Sequence, residues 1–355
     1  MRVFTINATQ VAESHLVPEQ VAAQAFVWIS CARSEFSQEL AALQHSLQQL
    51  SGVSLVDLHV SDLLNAHLPS HYDYTSQYDL LVFRRLAASH AGPQPSAHVL
   101  KRLDTSPVGF ALFDRVLLSV HPDDCLVRDA FATKLLAMAS SEARNNGVKL
   151  PHNPADLMLR VVNTIVDGYL DLRRELTRQL DHWQAQLLNP RSRFSNWQAL
   201  LEARQSLHQL DEVGEDQRAA IQDWIETLKS WPDPANPLEL RERDLLHVRS
   251  RDVLEHIERV VHHVRRLEQS VETAVQMHYN AQSNRTNDIM RTLTVLTAIF
   301  MPLNLIAAIF GMNFDVIPLV HNATGFWWAV GAMLLTALCL GLLFWRKRYL
   351  GNKRI

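Results

Sequence analysis

The 355-residue sequence is short of the residues on which stapled and fibrous folds depend. Its three cysteines, Cys31, Cys125 and Cys339, stand far apart with no pairing or metal-ligand spacing. That excludes a disulfide scaffold and fits a reducing compartment. Eleven glycines and 14 prolines are too few for a collagen-like or low-complexity chain. Neither sign of charge dominates: 34 Lys and Arg face 37 Asp and Glu, a formal net charge of -3. There is thus no global basic field for nucleic acid. No Gly-rich phosphate loop, catalytic-triad spacing, HExxH or paired CxxC occurs, so the reading is not an enzyme. The opening MRVFTINATQ has no positive segment followed by an apolar core, and no secretory signal is expected.

The sharpest scarcity is local. Residues 293–345 contain no Lys or Arg, and Asp315 is their only acid. The last ten residues then carry Arg346, Lys347, Arg348, Lys353 and Arg354. Residues 1–292 hold 29 basic and 36 acidic residues, an acidic body suited to water. Residues 293–310 form an uncharged run of 18 and residues 326–345 one of 20. A helix needs about 20 mostly apolar residues to cross the hydrocarbon core. The first run reaches that length by continuing the helix before it. A buried core helix is the alternative for either run alone, but two adjacent runs with a basic stop form a hairpin pattern. Arg285 and Arg291 precede the first span, five basic residues follow the second, and the linker 311–325 has none. The positive-inside rule then predicts a multi-pass protein of the cell (inner) membrane, embedded in lipid, with both termini cytoplasmic. Trp327, Trp328 and Trp345 mark the ends of the second span, as interfacial aromatics do.

The expected fold is an α/β cytoplasmic domain followed by a long helical stalk and two C-terminal transmembrane helices. Strands are expected at 3–6, 26–30, 80–84, 110–113 and 116–120, with helices at 38–50 and 58–68. From Pro154 the apolar residues step by three and four as far as Leu187, a long amphipathic helix. A second helix covers 197–228, and a proline-rich break follows at 231–237. No further proline occurs before Pro302, so one unbroken helix is expected over 238–310, on the order of 100 Å at about 1.5 Å per residue. The domain reading is 1–153 α/β domain, 154–237 helical hairpin, 238–310 stalk running into the first span (about 291–310,), 311–325 outer loop, 326–345 second span and 346–355 basic tail.

Within the first span a polar face stands out. Asn287, Met290, Thr294, Thr297, Met301, Asn304, Ala308 and Gly311 follow a three/four repeat, while the rest of each turn is Leu, Ile, Val or Phe. Such a face serves either as glue between helices or as the lining of a water-filled path. One two-span hairpin cannot enclose a pore, so the second use requires several subunits. The face carries no charge. Amide and hydroxyl oxygens suit Mg2+, which keeps its waters, whereas a softer ion would call for His or Cys.

The stretch NRTNDIMRTLTVLTAIFMPLNLIAAIFGMNF, residues 284–314, resembles the CorA family of divalent-cation transporters. The signature Gly311-Met312-Asn313 is followed by Phe314, and Asn287, Met290, Leu293-Thr294, Ile299-Phe300 and Pro302-Leu303 precede it in order. Arg251-Asp252-Val253 with His256 looks like a further family element upstream. The resemblance implies a homopentamer with the first spans around the pore. Gly311, Met312 and Asn313 would form the outer mouth. Asn287, Met290, Leu293 and Met301 would line the conduit, with Met290 and Leu293 as a hydrophobic gate. Asp252 would help bind regulatory Mg2+ between cytoplasmic domains. The transported ion would be Mg2+, with Co2+, Ni2+ or Zn2+ as further candidates. Two departures bear on ion preference: Asn304 stands where the family has Thr, and Ala308 where it has Gly.

Two alternatives stay open. One is a proton-linked Zn2+ transporter of the same superfamily. The other is a membrane-anchored coiled-coil sensor or scaffold. The 17 histidines read mostly as solvated or packed side chains, and His262 and His263, being adjacent, point to different helix faces. The acidic run Asp211-Glu212…Glu215-Asp216 reads as a solvated turn.

Overall fold

A computed structural model describes residues 1–22, 24–87, 104–139, 149–188, 197–232, 236–312 and 324–347. The chain divides into two units, Met1–Glu272 and Thr273–Ile355.

The first unit is built on a seven-stranded sheet. In chain order its strands are β1 (Arg2–Asn7), β2 (Val11–Ser14), β3 (Ala25–Ala32), β4 (His71–Tyr74), β5 (Asp79–Leu86), β6 (Thr105–Leu112) and β7 (Val116–His121). In space they run β2-β1-β3-β7-β6-β5-β4. Among the described residues only β3 and β7 pair in parallel. The sequence AFVWISCA explains the central place of β3: every residue is buried, as a strand covered on both faces requires.

Helices α1 (Arg33–Gln38), α2 (Leu40–Ser51) and α3 (Asp57–Leu64) cover one face. There Leu43, Leu47 and Leu63 join Val27, Ile29, Leu118 and Val120 in one apolar cluster. Gly109 on β6 makes this approach possible, because a Cβ there would collide with the Leu63 side chain. The helix expected over 58–68 stops at Leu64, where Asn65 turns extended. The strands β2 and β4 and the helices α1 and α4 (Leu126–Met138) add to the elements expected from sequence. VAES and HYDY carry almost no apolar alternation, so only their pairing to β1 and β5 makes them strands.

The other face receives α5 (Pro154–Leu188) and α6 (Trp197–Ser230). Val162, Ile165, Tyr169, Leu176, Leu180, Trp183 and Leu187 of α5 are all buried. The β5 carbonyl of Arg84 accepts hydrogen bonds from Tyr169 Oη (3.0 Å) and Gln217 Nε2 (2.8 Å). One backbone oxygen thereby holds both helices to the sheet. The long helix α7 runs from Pro237 to Phe310. Its first part packs on α6: Trp224 Nε1 donates to Ser250 Oγ at 2.9 Å, and Gly214 lets Val261 come so close that a Cβ would sit 2.7 Å from its Cγ2. The acidic run 211–216 lies in the middle of α6, not in a turn. Arg265 Nε meets Asp211 at 2.9 Å and its Nη2 meets Glu215 at 2.5 Å, so two of these acids serve as helix–helix ties.

Beneath α4 and α5 a polar row crosses the sheet. Ser119 Oγ receives Trp28 Nε1 at 2.8 Å, donates to Ser30 Oγ at 3.1 Å and lies 2.9 Å from His121 Nε2. His121 is 1% exposed and its Nδ1 has no partner among the described residues. Burial, with Arg128 and Arg85 adding to it, pushes this imidazole down to about 3. The fold therefore needs the neutral ring. An unfolded histidine titrates near 6.5, so this contribution is whole above about pH 6.5 and is lost as pH falls toward 3. Thermal unfolding of the full chain should lose stability steeply between pH 6.5 and 4, and His121→Gln should flatten that slope. Equal slopes for the two proteins would show that another group controls the acid response.

Candidate functional site

The second unit contains the end of α7 from Thr273 and the helix α8 (Gly325–Arg346). The apolar windows of both helices are only 6% buried. A core helix of a soluble protein would be mostly buried. Here Ile289, Leu296, Phe300 and Leu305 stand exposed on α7, as do Trp327, Leu335, Leu338 and Trp345 on α8. Each would cost roughly 25 cal/mol per Å² of apolar surface left in water. Lipid removes that cost, and the helix satisfies its own backbone there.

One face of α7 is shielded. Val295 is 3% exposed, and Arg291, Ala298, Ile299, Pro302, Leu303, Ile306 and Phe310 are half-buried. Pro302 lies on this side and has no amide hydrogen, so the Ala298 carbonyl lacks its helical donor. On α8, Gly325 and Ala329 are the buried positions.

The polar stripe lies elsewhere. Asn287, Met290, Thr294, Thr297, Met301, Asn304 and Ala308 are all exposed. With about 100° of rotation per residue, the centre of their face is turned roughly 130° from the shielded one. Leu293 is exposed too and flanks the stripe. The stripe is therefore not used for packing inside this unit.

Its polar atoms have a definite polarity. Thr294 Oγ1 donates to the Met290 carbonyl at 2.8 Å, and Thr297 Oγ1 to the Leu293 carbonyl at 2.9 Å. With each proton held by the preceding turn, the hydroxyl oxygen turns only lone pairs outward. Such an oxygen accepts hydrogen bonds from water, including water held by a cation. At the end of the helix, Gly311 N donates to Ala307 O (2.9 Å) and Ala308 O (3.2 Å), and Met312 N to Ile309 O (3.3 Å). A Cβ on Gly311 would stand 3.1 Å from Ala307 O, so a larger residue there would displace the helix terminus. Asn313 lies outside the described residues.

Asp252 belongs to the first unit. It is exposed and lies 3.8 Å from His256 Nε2. A groove of about 210 Å³ beside it is lined by Lys134, Arg160, Asn163, Thr164 and Arg249, among others. Among the described residues no three His, Cys, Asp or Glu side chains gather in a way that could hold a metal ion. Among the described residues Asp252 is the only carboxylate lining that groove. Lys134 and Arg160 reach it from α4 and α5, which sequence spacing could not reveal, while Arg249 stands three residues before Asp252 on α7; Arg249 and Arg160 are ion-paired with Asp156 at 2.7 and 3.1 Å. His263 Nε2 lies 2.8 Å from Thr177 Oγ1 on α5, while His262 is exposed, so the pair does point to different faces.

A family model described as CorA-like Mg2+ transporter protein matches residues 23–348. The cobalt/magnesium transport protein CorA of Thermotoga maritima is 26% identical over 206 residues, which span 58% of this chain and 56% of that protein. The magnesium transport protein CorA of Haemophilus influenzae is 26% identical over 251 residues, 70% of this chain and 73% of that protein. Among solved structures, the CorA magnesium transporter of Methanocaldococcus jannaschii aligns with a TM-score of 0.72 at 17% identity, covering 98% of both chains. The full-length CmaX protein aligns at 0.69 and 15% identity, covering 98% of this chain and 97% of its own. At these identities the structural matches speak for the fold.

Because the Thr294 and Thr297 hydroxyls bond within their own turns, Thr294→Val and Thr297→Val should each change the stability of the full chain in detergent by less than about 1 kcal/mol. A loss of about 2 kcal/mol or more would show that the hydroxyls hold a packed interface.

Proposed function

Because the chain belongs to the family of CorA-like Mg2+ transporters, we propose that it is a homopentameric channel or transporter that passes divalent cations inward through the inner membrane. Mg2+ is the principal ion in this reading, with Co2+ and Ni2+ accompanying it. Cytoplasmic Mg2+ gates the flow, and both termini lie in the cytoplasm.

The exposed stripe on α7 is the observation that carries the reading. It faces away from the shielded side of its own hairpin, it has no charge, and its threonines offer only lone pairs. Several copies placed around an axis would turn these faces inward and enclose a path of acceptors. A hydrated Mg2+ presents a shell of water hydrogens to such a path and keeps its waters while passing. Met290 and Leu293 would form the apolar constriction, which closes by excluding water. Gly311 and Met312, with Asn313, would make the outer mouth. Asn304 and Ala308 would set a ring of different width from that of a Thr and Gly pair. A lone Asp252 cannot bind a metal by itself, so its regulatory role requires ligands from a second copy. Bound Mg2+ would hold neighbouring copies together, and its loss would release them.

Uptake of Mg2+, Co2+, Ni2+ and Zn2+ into proteoliposomes, with and without a proton gradient, tests the transport reading. Wild type should carry Mg2+ without a proton gradient and Asn313→Ala should lose that flux. Equal, negligible Mg2+ flux in the two would leave a membrane-anchored scaffold, and Zn2+ uptake that needs the gradient would mark a proton-linked carrier.

The gating reading has its own check. Mg2+ should protect the cytoplasmic unit of the wild type from protease, and Asp252→Lys should weaken that protection. Unchanged protection would remove Asp252 from regulation.

A further inference from the structure

A cavity far along the chain from the stripe belongs wholly to the first unit. It measures about 720 Å³, within the range of about 300–1,000 Å³ usual for small-molecule sites. The turn between β4 and β5, the turn between β6 and β7, the start of α5 and the end of α6 enclose it.

Its chemistry is one-sided. Two carboxylates, Asp79 and Asp114, line it, and among the described residues no Lys, Arg or His does. Asp79 accepts a hydrogen bond from Tyr72 Oη on Oδ1 at 2.6 Å, and no other donor to it stands among the described residues. Asp114 is exposed and has no hydrogen-bond or ion-pair partner among the described residues. Burial pushes the Asp79 carboxyl up; the Tyr72 hydrogen bond opposes this and the neighbouring charge of Asp114 adds to it. A positive group in the cavity would relieve both.

The walls are aromatic. Tyr74, Tyr78, Phe113 and Trp231 contribute rings. Tyr78 and Phe113 pack at a tilt of 32° with centroids 4.9 Å apart and are nearly fully buried. The Tyr78 hydroxyl is taken by Val56 N at 3.0 Å and His59 Nδ1 at 2.7 Å, which leaves the cavity its ring. Trp231 is held edge-on against Trp224 at 5.7 Å. The last turn of α6 ends here, and the carbonyl end of a helix favours positive charge. The start of α5, which would oppose it, is capped: Asn153 Oδ1 accepts from Asp156 N at 2.8 Å.

These features separate two kinds of cation. A metal ion needs several oxygens converging at about 2.0–2.6 Å, and no group of three His, Cys, Asp or Glu suited to a metal occurs among the described residues. Aromatic faces attract an alkylammonium, whose hydrocarbon arms they also cover. We propose that this cavity binds an organic cation of the aliphatic di- or polyamine class, with Asp79 and Asp114 pairing its ammonium groups and the aromatic rings covering its methylenes.

The test uses the full chain in detergent and reads binding rather than transport, so it stands or falls apart from the channel reading. Isothermal titration with spermidine should show saturable binding, and 1,4-butanediol, the same kind of chain without charge, should show none. Asp79→Asn and Asp114→Asn should each weaken spermidine at least about tenfold. Asp114 has no partner to lose, so its variant should unfold at the wild-type temperature and serves even if the Asp79 variant folds poorly. No saturable binding up to about 10 mM, or wild-type affinity in the Asp114 variant, would overturn the proposal. So would Mg2+ displacing spermidine at equal concentration, because that would make the cavity a metal site.

Discussion

Water cannot cover the second unit. Both of its described helices bury only 6% of their apolar windows, and that constraint orders the rest of the region. It explains why residues 293–310 and 326–345 carry no charge, since a charge at membrane depth is costly. It explains why the threonine hydroxyls close on their own helix turns. It also explains the indoles of Trp327, Trp328 and Trp345 at the ends of α8, where an amphipathic ring meets the interface. A face that carries asparagine in such a setting departs from the rule followed by its neighbours, and the departure is confined to one stripe.

The first unit solves a different problem. Its sheet is buried on both faces, and its helices must be held in register with it. Polar contacts do this at few points: the Arg84 carbonyl takes Tyr169 and Gln217, Ser250 takes Trp224, and Arg265 takes two acids of α6. Between these points the packing is apolar, and glycines at 109 and 214 allow the closest approaches. Buried hydrogen bonds fix geometry here more than they add stability, since each contributes only about 1 kcal/mol net.

Periodicity made the long elements legible. The three/four repeat of α5 and the proline-free run before Pro302 announce helices far longer than local propensity alone would give. The stripe was legible for the same reason, because its seven positions up to Ala308 share one face in any α-helix. Edge strands such as HYDY were not, since a neighbour supplies their hydrogen bonds. The acids at 211–216 misled because a charge run looks the same in a turn and on a helix; only Arg265, some fifty positions away, tells the two apart. The surroundings of Asp252 were hidden as well. Lys134 and Arg160 reach its groove from α4 and α5, and no spacing rule connects them to Asp252.

The stripe has one more property. From Asn287 to Ala308 it offers amides, hydroxyls, thioethers and a methyl, and nothing on it ionises between about pH 4 and 10. Its polarity is therefore the same in acid and in base. It also has no side chain able to take a proton and hand it to the next, so it provides no proton wire. Any response of this protein to acidity has to enter elsewhere, and a buried imidazole such as that of His121 is the kind of group through which it would.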